Sequence, residues 1–347
     1  MARFLCFLLL ALFISCEERH ENPATELILR GKALGTTWTV KVRSPVPPDE
    51  ENLRTDITAK IEENEKIFSH WRPDSELYQF NASLSTNPVS VPALLHQLLE
   101  HAHWMHGQSE GTFDPTIAPL VNLWGFGPVS TNRLATPSPE EISLALQKTG
   151  LEKLEILPKG MVRKKRPDLQ IDLSASAKGE IIDQVCSMLD RWGLKHYLVE
   201  IGGELRAKGN GKSGDGWQVA LENGSEMDAK DPVIVPLRNY AVATSGTYRQ
   251  NKPNPSSTKP ASHLLDPRTG RPVRHDLVAV NVLAPTARDA DAFATALVIL
   301  GPVEGMKKAE AMDLIARFSI SEGNRTKLLH TPAFERLFPR PQNKKTN

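Results

Sequence analysis

Val278-Ala279-Val280-Asn281-Val282-Leu283, followed closely by Arg288-Asp289-Ala290-Asp291-Ala292-Phe293-Ala294-Thr295-Ala296-Leu297, decides the fold class. The first part is β-branched and apolar and reads as a strand. It feeds a helix running from Arg288 to Leu300, which Gly301-Pro302 stops. Strands and long helices flank this unit without a regular βαβ alternation. The sequence predicts strands at Glu26–Gly31 and Thr36–Val42, and helices at Asp49–Phe68, Pro92–His106 and Glu140–Thr149. A hairpin is expected from Leu154–Leu157 and Met161–Arg166, then a strand at Gln170–Leu173 and a helix at Lys178–Gly193. Strands follow at Tyr197–Ile201, Trp217–Glu222, Val233–Leu237 and Tyr240–Thr244, with a helix near Val303–Asp313 and closing strands near Ala316–Ile320 and Lys327–His330. This order predicts a single α+β domain, with mixed or antiparallel sheets flanked by helices.

The 347 residues carry 42 basic and 41 acidic side chains, a net charge of +1. That balance excludes a protein living mainly by attraction to nucleic acid, and 40% hydrophobic residues exclude bulk disorder. Met1-Ala2-Arg3 and the apolar run Phe4–Ile14 form a secretory leader too short to span a bilayer. The run ends at Ser15-Cys16, followed at once by Glu17, Glu18 and Arg19, and resembles a bacterial lipoprotein processing site. On that reading Cys16 is acylated and becomes the mature N-terminus; the alternative is an ordinary cleaved signal peptide. Both export the protein, and the lipoprotein reading places it on the periplasmic face of a membrane, the inner one preferred. The expected organisation is a signal at 1–15, a tether at 16–26, a domain at 27–338 and a disordered tail at 339–347. Cys186 alone remains in the body, so no internal disulfide forms; it reads as a buried small hydrophobe.

Several familiar signals fail. Gly209–Gly214 contains Gly-Lys-Ser but lacks the P-loop's leading glycine, and reads as a hairpin turn. No Rossmann glycine fingerprint and no Gly-x-Ser-x-Gly elbow occurs. His101, His103 and His106 cannot converge from one helix and read as a solvated face. Arg163-Lys164-Lys165-Arg166 reads as a solvated hairpin edge.

Four segments place small or functional residues where a core would prefer bulk. In Gly111–Pro128, Pro115 and Pro119 are expected to prevent regular structure, leaving a rigid loop in which Trp124 and Phe126 line an aromatic ligand or pack inward. Ile171-Asp172-Leu173-Ser174-Ala175-Ser176-Ala177-Lys178-Gly179 delivers a carboxylate and then opens a helix, which suits an anionic ligand; the plainer reading makes Ser174 a cap. Ser245-Gly246, with His263–Pro272 downstream, offers a hydroxyl and an open backbone N–H; Asp266–Gly270 also reads as a simple turn. Asp291 and Thr295 are four apart and share a helix face among alanines. A carboxylate and a hydroxyl, joined by carbonyl and phosphate oxygens, make an oxygen site suited to Mg²⁺; alternatively Asp291 only complements the helix N-terminus.

Together these stretches resemble the ApbE family of FAD:protein FMN transferases. The resemblance adds Leu34-Gly35-Thr36-Thr37-Trp38, the Pro119–Gly127 loop and Glu200-Ile201-Gly202-Gly203-Glu204, and runs from about Gly31 to the closing strands. It implies an ApbE-like, T-fold-related catalytic domain that binds FAD and Mg²⁺. Such a domain moves FMN onto a threonine hydroxyl of a target protein and releases AMP. It implies metal ligands at the Ala175 carbonyl, Asp291 and Thr295. It implies flavin contacts at Leu34, Trp71, Thr112, Phe113, Asp114, Asp172, Lys178, His263 and Leu265, with Ser245 and Gly246 near the phosphates. The implied partners are threonine-containing subunits of membrane redox complexes. The family's usual Met is Leu34 here, its common Ile is Ser176, and its Tyr is Glu180.

His263 is the candidate base for the acceptor hydroxyl, or it only orients the flavin. Two other functions fit the same residues: Mg²⁺-dependent hydrolysis of FAD to FMN and AMP, and flavin binding without catalysis.

Overall fold

The computed structural model describes residues 25–129, 136–224, 233–248, 261–323 and 325–339, with the backbone alone at 251–252. The expected signal at 1–15, Cys16, the tether up to residue 24 and the tail from residue 340 lie outside the described residues.

Eight strands form the main sheet: β1 (Thr25–Ala33), β2 (Thr36–Ser44), β3 (His196–Ile201), β4 (Glu204–Lys208), β5 (Ala241–Gly246), β6 (Leu277–Ala284), β7 (Ile315–Glu322) and β8 (Arg325–His330). Every neighbouring pair is antiparallel, and spatial order follows chain order. Most of the remaining chain is inserted between β2 and β3: α1 (Glu50–Phe68), α2 (Glu76–Ala82), α3 (Ala93–Gln108), α4 (Ala118–Leu123), α5 (Pro139–Lys148) and α6 (Ala177–Arg191). The β6–β7 connection is α7 (Ala287–Ala311), and α8 (Pro332–Leu337) follows the sheet.

Strand alternation gives the sheet two buried faces. Tyr197, Val199, Ile201, Ala241, Ala243, Val280 and Val282 face the large core shared with α1, α3, α6 and α7. Leu198, Ala207, Val242 and Leu283 point the other way, onto the hairpin Trp217–Leu221/Val233–Leu237 and Phe334 of α8. Each buried Val, Leu or Ile among them contributes roughly 1.5–3 kcal/mol. Alanines on β5 and on α7 shorten the side chains between them, so the helix lies close to the sheet.

The α7 helix begins at the Thr286 cap and breaks at Gly301, where φ is +86°. Pro302 has no N–H for the Val298 carbonyl, and His275 Nε2 replaces it by donating to Val298 O at 2.8 Å. Burial holds the His275 pKa below its usual value.

Some expectations need correction. Gln170–Leu173 joins no strand ladder: Ile171 pairs with the Asn81 side chain, and Asp172 N donates to Pro115 O. Within Gly111–Pro128, residues 115–123 are helical, a 3₁₀ turn at Pro115–Ile117 leading into α4, while the stretches on either side, Trp124 and Phe126 included, stay irregular. Both prolines sit in first turns, where a missing N–H costs nothing. Gly209–Gly214 is not a hairpin turn, because β4 pairs with β5 and the next strand pairs with Val233–Leu237. His101 is buried against Asp289 and His106 is half-buried against Phe113 O, so only His103 of the three is exposed. Lys164 is likewise no edge residue: it is 2% exposed.

Candidate active site

The site grows from the crossing of α6 and α7. Gly179 faces the start of α7 so closely that a Cβ there would stand 2.3 Å from Ala287 O. One turn along α6, Asp183 accepts from Ala287 N and Arg288 N, each at 3.0 Å, and caps α7 from a neighbouring helix. Glu180 Oε2 lies 3.2 Å from Arg288 Nη1. This docking brings Gly179 N to 3.3 Å from Asp291 Oδ2, with Asp291 only 3% exposed. One turn further on, Thr295 Oγ1 lies 3.0 Å from Ser245 Oγ at the end of β5. The first turn of α7 belongs to Asp289, which His101 Nε2 contacts at 2.8 Å. Burial alone would raise the Asp289 pKa; the His101 and Thr286 hydrogen bonds hold it below the usual carboxylate range. Asp291 lies beyond that first turn and faces the start of α6.

The segment from Gly111 to Phe126 meets α7 at Thr112 and carries further groups beside it. Thr112 Oγ1 donates to Ser109 O at 2.8 Å and approaches Ala296 O at 3.3 Å. Phe113 is buried, and its carbonyl accepts from His106 Nδ1 at 3.0 Å. Asp114 caps the following 3₁₀ turn through Thr116 N and Thr116 Oγ1. Pro115 O accepts from Asp172 N at 2.7 Å. Asp172 Oδ1 accepts from Ser174 N and lies 3.6 Å from His70 Nδ1. Trp71 follows His70 and is exposed. Trp124 Nε1 donates to Gly270 O at 2.9 Å, and Phe126 meets the His263 ring edge-on at 6.4 Å. Leu265 packs with Leu120 and Ala145. Trp124 and Phe126 are both half-buried, and both hold the 263–270 segment in place.

Two hairpin tips complete the rim. Lys178 Nζ, in the first turn of α6, lies 2.7 Å from Glu204 Oε2 at the start of β4. Gly202 N, at that tip, donates to Thr37 O. Beside it the β1–β2 turn is Leu34-Gly35, both with positive φ, at 54° and 69°. A leucine in the left-handed region is unusual and costs about 1 kcal/mol or more, so the fold holds its side chain at that tip against strain.

A family model, that of the ApbE family, matches residues 34–318. The chain belongs to the ApbE family. Its relative in Salmonella typhimurium, an FAD:protein FMN transferase, is 33% identical over 340 residues, covering 96% of each chain. The FAD:protein FMN transferase of Vibrio cholerae is 38% identical over 292 residues, covering 84% of this chain and 86% of its own. Among solved structures, the flavin transferase ApbE from Vibrio cholerae superposes with a TM-score of 0.82 at 36% identity, covering 91% of this chain and 100% of that one. The apo Pseudomonas stutzeri flavinyl transferase ApbE gives 0.83 at 34% identity, covering 92% and 98%. Like these relatives, this member of the family is an enzyme, a transferase.

Along α7, Asp291 meets the start of α6, Thr295 meets Ser245, and the neighbouring Ala296 carbonyl meets Thr112. Phe113 and Asp114 follow Thr112 in the chain, Asp172 is tied to that segment through the Pro115 bond, His263 meets it through Phe126, and Leu265 packs on Leu120. Ala175 lies in the turn leading into α6, where Ser176, not Ser174, occupies the cap position. Gly246 is buried, its Cα facing the Tyr248 ring and Val278 O. Among the described residues no three His, Cys, Asp or Glu side chains converge as a metal site. The implied set contains only one such residue, its other donors being a hydroxyl and a carbonyl. Sequence reasoning assigned no role to Glu204, Asp183 or Asn81. Glu204 stood in a Gly-Gly-Glu turn, a readable sign; Asp183 and Asn81 acquire their roles only from partners about a hundred residues away.

Proposed function

We propose that this chain transfers the FMN half of FAD to a threonine hydroxyl of an exported acceptor protein and releases AMP. The observation that supports it is the α6–α7 crossing, which gathers a buried carboxylate, two hydroxyls and a lysine in a chain that matches the family along most of its length.

In the reaction, the acceptor oxygen bonds to the FMN phosphorus and the bond from that phosphorus to the bridging oxygen breaks. AMP leaves with the electron pair, and the hydroxyl proton passes to a base, assigned here to His263. Transfer of this kind depends on positioning and charge compensation more than on covalent chemistry. Asp291, Thr295 and the Ala175 carbonyl would hold Mg²⁺. Their oxygens are the hard donors that ion takes, and a carboxylate as buried as Asp291 favours a nearby cation. When bound there, Mg²⁺ withdraws charge from the diphosphate. Lys178 adds positive charge beside it, with Glu204 fixing its direction. Asp172, Phe113 and Leu34 are assigned to the flavin, and Ser245 and Gly246 to the phosphates.

Acylation of Cys16 would hold the domain at the periplasmic face of a membrane. Exported subunits of redox complexes are the acceptors reachable from there. The test is mass spectrometry after mixing the protein, FAD, Mg²⁺ and a threonine-bearing acceptor domain. Covalent FMN on the acceptor with free AMP is the expected result. Free FMN and AMP would replace transfer by hydrolysis, and unchanged FAD would reduce the protein to a flavin binder.

A further inference from the structure

We infer that Asn81 and Lys164 are positioning residues that fix Asp172 for flavin binding. The inference rests on the functional reading above, which places Asp172 against the flavin.

Asp172 lies in a segment that joins no sheet or helix, so its backbone needs other partners. Asn81 supplies them in the manner of an adjacent strand. Its Nδ2 donates to Ile171 O and its Oδ1 accepts from Ile171 N, both at 2.8 Å. Pro115 O takes the next N–H, so the peptide bearing Asp172 is held from two sides. Asn81 and Asp172 also line the same cavity, of about 110 Å³, together with His70 and Tyr78.

Asn81 is in turn held by Lys164. That residue ends the strand Met161–Lys164 and reaches the last turn of α2. Its Nζ donates to Asn81 O at 3.2 Å and to Ser83 O at 2.7 Å, and stands 4.9 Å from the centre of the Phe80 ring. These carbonyls belong to a helix end that has no following turn to satisfy them, and a cation suits that end of the dipole. An ammonium buried this deeply is expensive, and a methionine would fill the same space. Burial lowers its pKa to about 8, against the opposing pull of Asp168. What the ammonium provides, and an apolar side chain would not, is a fixed end for the helix that carries Asn81. Neither residue touches the α6–α7 crossing.

The test is FAD titration of the full chain, followed by transfer kinetics, for Asn81→Leu and Lys164→Met. Loss of two hydrogen bonds predicts an FAD KM about tenfold or more higher for Asn81→Leu, with kcat at saturating FAD within about threefold. Lys164→Met should shift KM in the same direction by about threefold or more. Phe334→Leu, on the far face of the sheet, serves as a destabilised control and should leave KM unchanged. Unaltered FAD affinity in both variants would overturn the inference. So would loss of kcat at constant KM, or an equal KM shift in the control. Should Asn81→Leu fail to fold, Asn81→Ser answers the same question by the same criteria. Absence of FAD binding by the unaltered chain would instead overturn the functional reading, and this inference with it.

Discussion

Thr295 Oγ1 on α7 lies 3.0 Å from Ser245 Oγ at the end of β5, so one hydrogen bond joins the helix of the expected cation site to the strand of the expected phosphate site. The two hydroxyls should act as a unit. Ser245→Ala is expected to lower transfer about tenfold and Thr295→Ala about a hundredfold. The double variant should be no more than about threefold worse than Thr295→Ala alone, because the second loss removes an interaction already gone. Steady-state transfer rates for the four proteins check this; fully multiplicative losses would show that the hydroxyls act separately.

Asp291→Asn keeps the shape of the side chain and its acceptor for Gly179 N while removing the charge. Transfer should fall by about a hundredfold or more, with the melting temperature nearly unchanged. Excess Mg²⁺ should restore part of the activity. Labelling at the normal rate, in the variant or in chelator, would rule out a cation held by this carboxylate.

Gly179→Ala places a Cβ against Ala287 O and Arg288 N, backbone atoms that cannot rotate away. The expected cost is about 2–4 kcal/mol of stability, with loss of transfer as α6 and α7 separate. Chemical denaturation and an activity assay measure both. A variant as stable and active as the parent would mean that the helices have room to part.

Lys164 titrates at about 8 in the folded chain against an ordinary 10.5. Below pH 8 both folded and unfolded chains hold the proton, and the folded chain bears the full cost of burying it. Between pH 8 and 10.5 the folded chain releases the proton and the unfolded chain keeps it, so stability contributed at this site rises with pH. Relative to Lys164→Met, the parent should gain up to about 3 kcal/mol across that window. Denaturant unfolding at pH 7 and pH 10 tests the sign; a flat difference would contradict the burial of a charged amine.

Cys186 is 1% exposed, and burial pushes its thiol well above the usual range. It should resist alkylation at neutral pH in the folded protein and react fully in denaturant, as mass spectrometry can show. Rapid labelling of the native chain would contradict the packing of α6 against the sheet.

The long helices α1, α3, α5, α6 and α7 and most strands of the main sheet were legible because their apolar periodicities are local, whereas the short α2, α4 and α8 were not. The β5 and β6 strands, the α7 helix and its break at Gly301-Pro302 all stand where the residue pattern puts them. The misreadings share one cause. Gln170–Leu173 has strand composition, but Asn81 and Pro115 take its hydrogen bonds. Arg163–Arg166 has edge composition, but Lys164 turns inward to close a helix. His101 sits among other histidines, yet its partner Asp289 is far along the chain. In each case a distant side chain overrode a local pattern.

What the amino-acid sequence determined by itself was the long helices and most strands of the main sheet, the Asp291–Thr295 spacing and the kinship with the ApbE family. Periodicity, helix pitch and ordered motifs are properties of neighbouring residues. The tertiary structure alone decided that Gly179 and Asp183 of α6 receive the start of α7, that Glu204 faces Lys178, and that Lys164 and Asn81 stand behind Asp172. Those relationships join residues far apart in the chain, and only the pairing of the antiparallel sheet and the packing of its helices bring them within hydrogen-bonding distance.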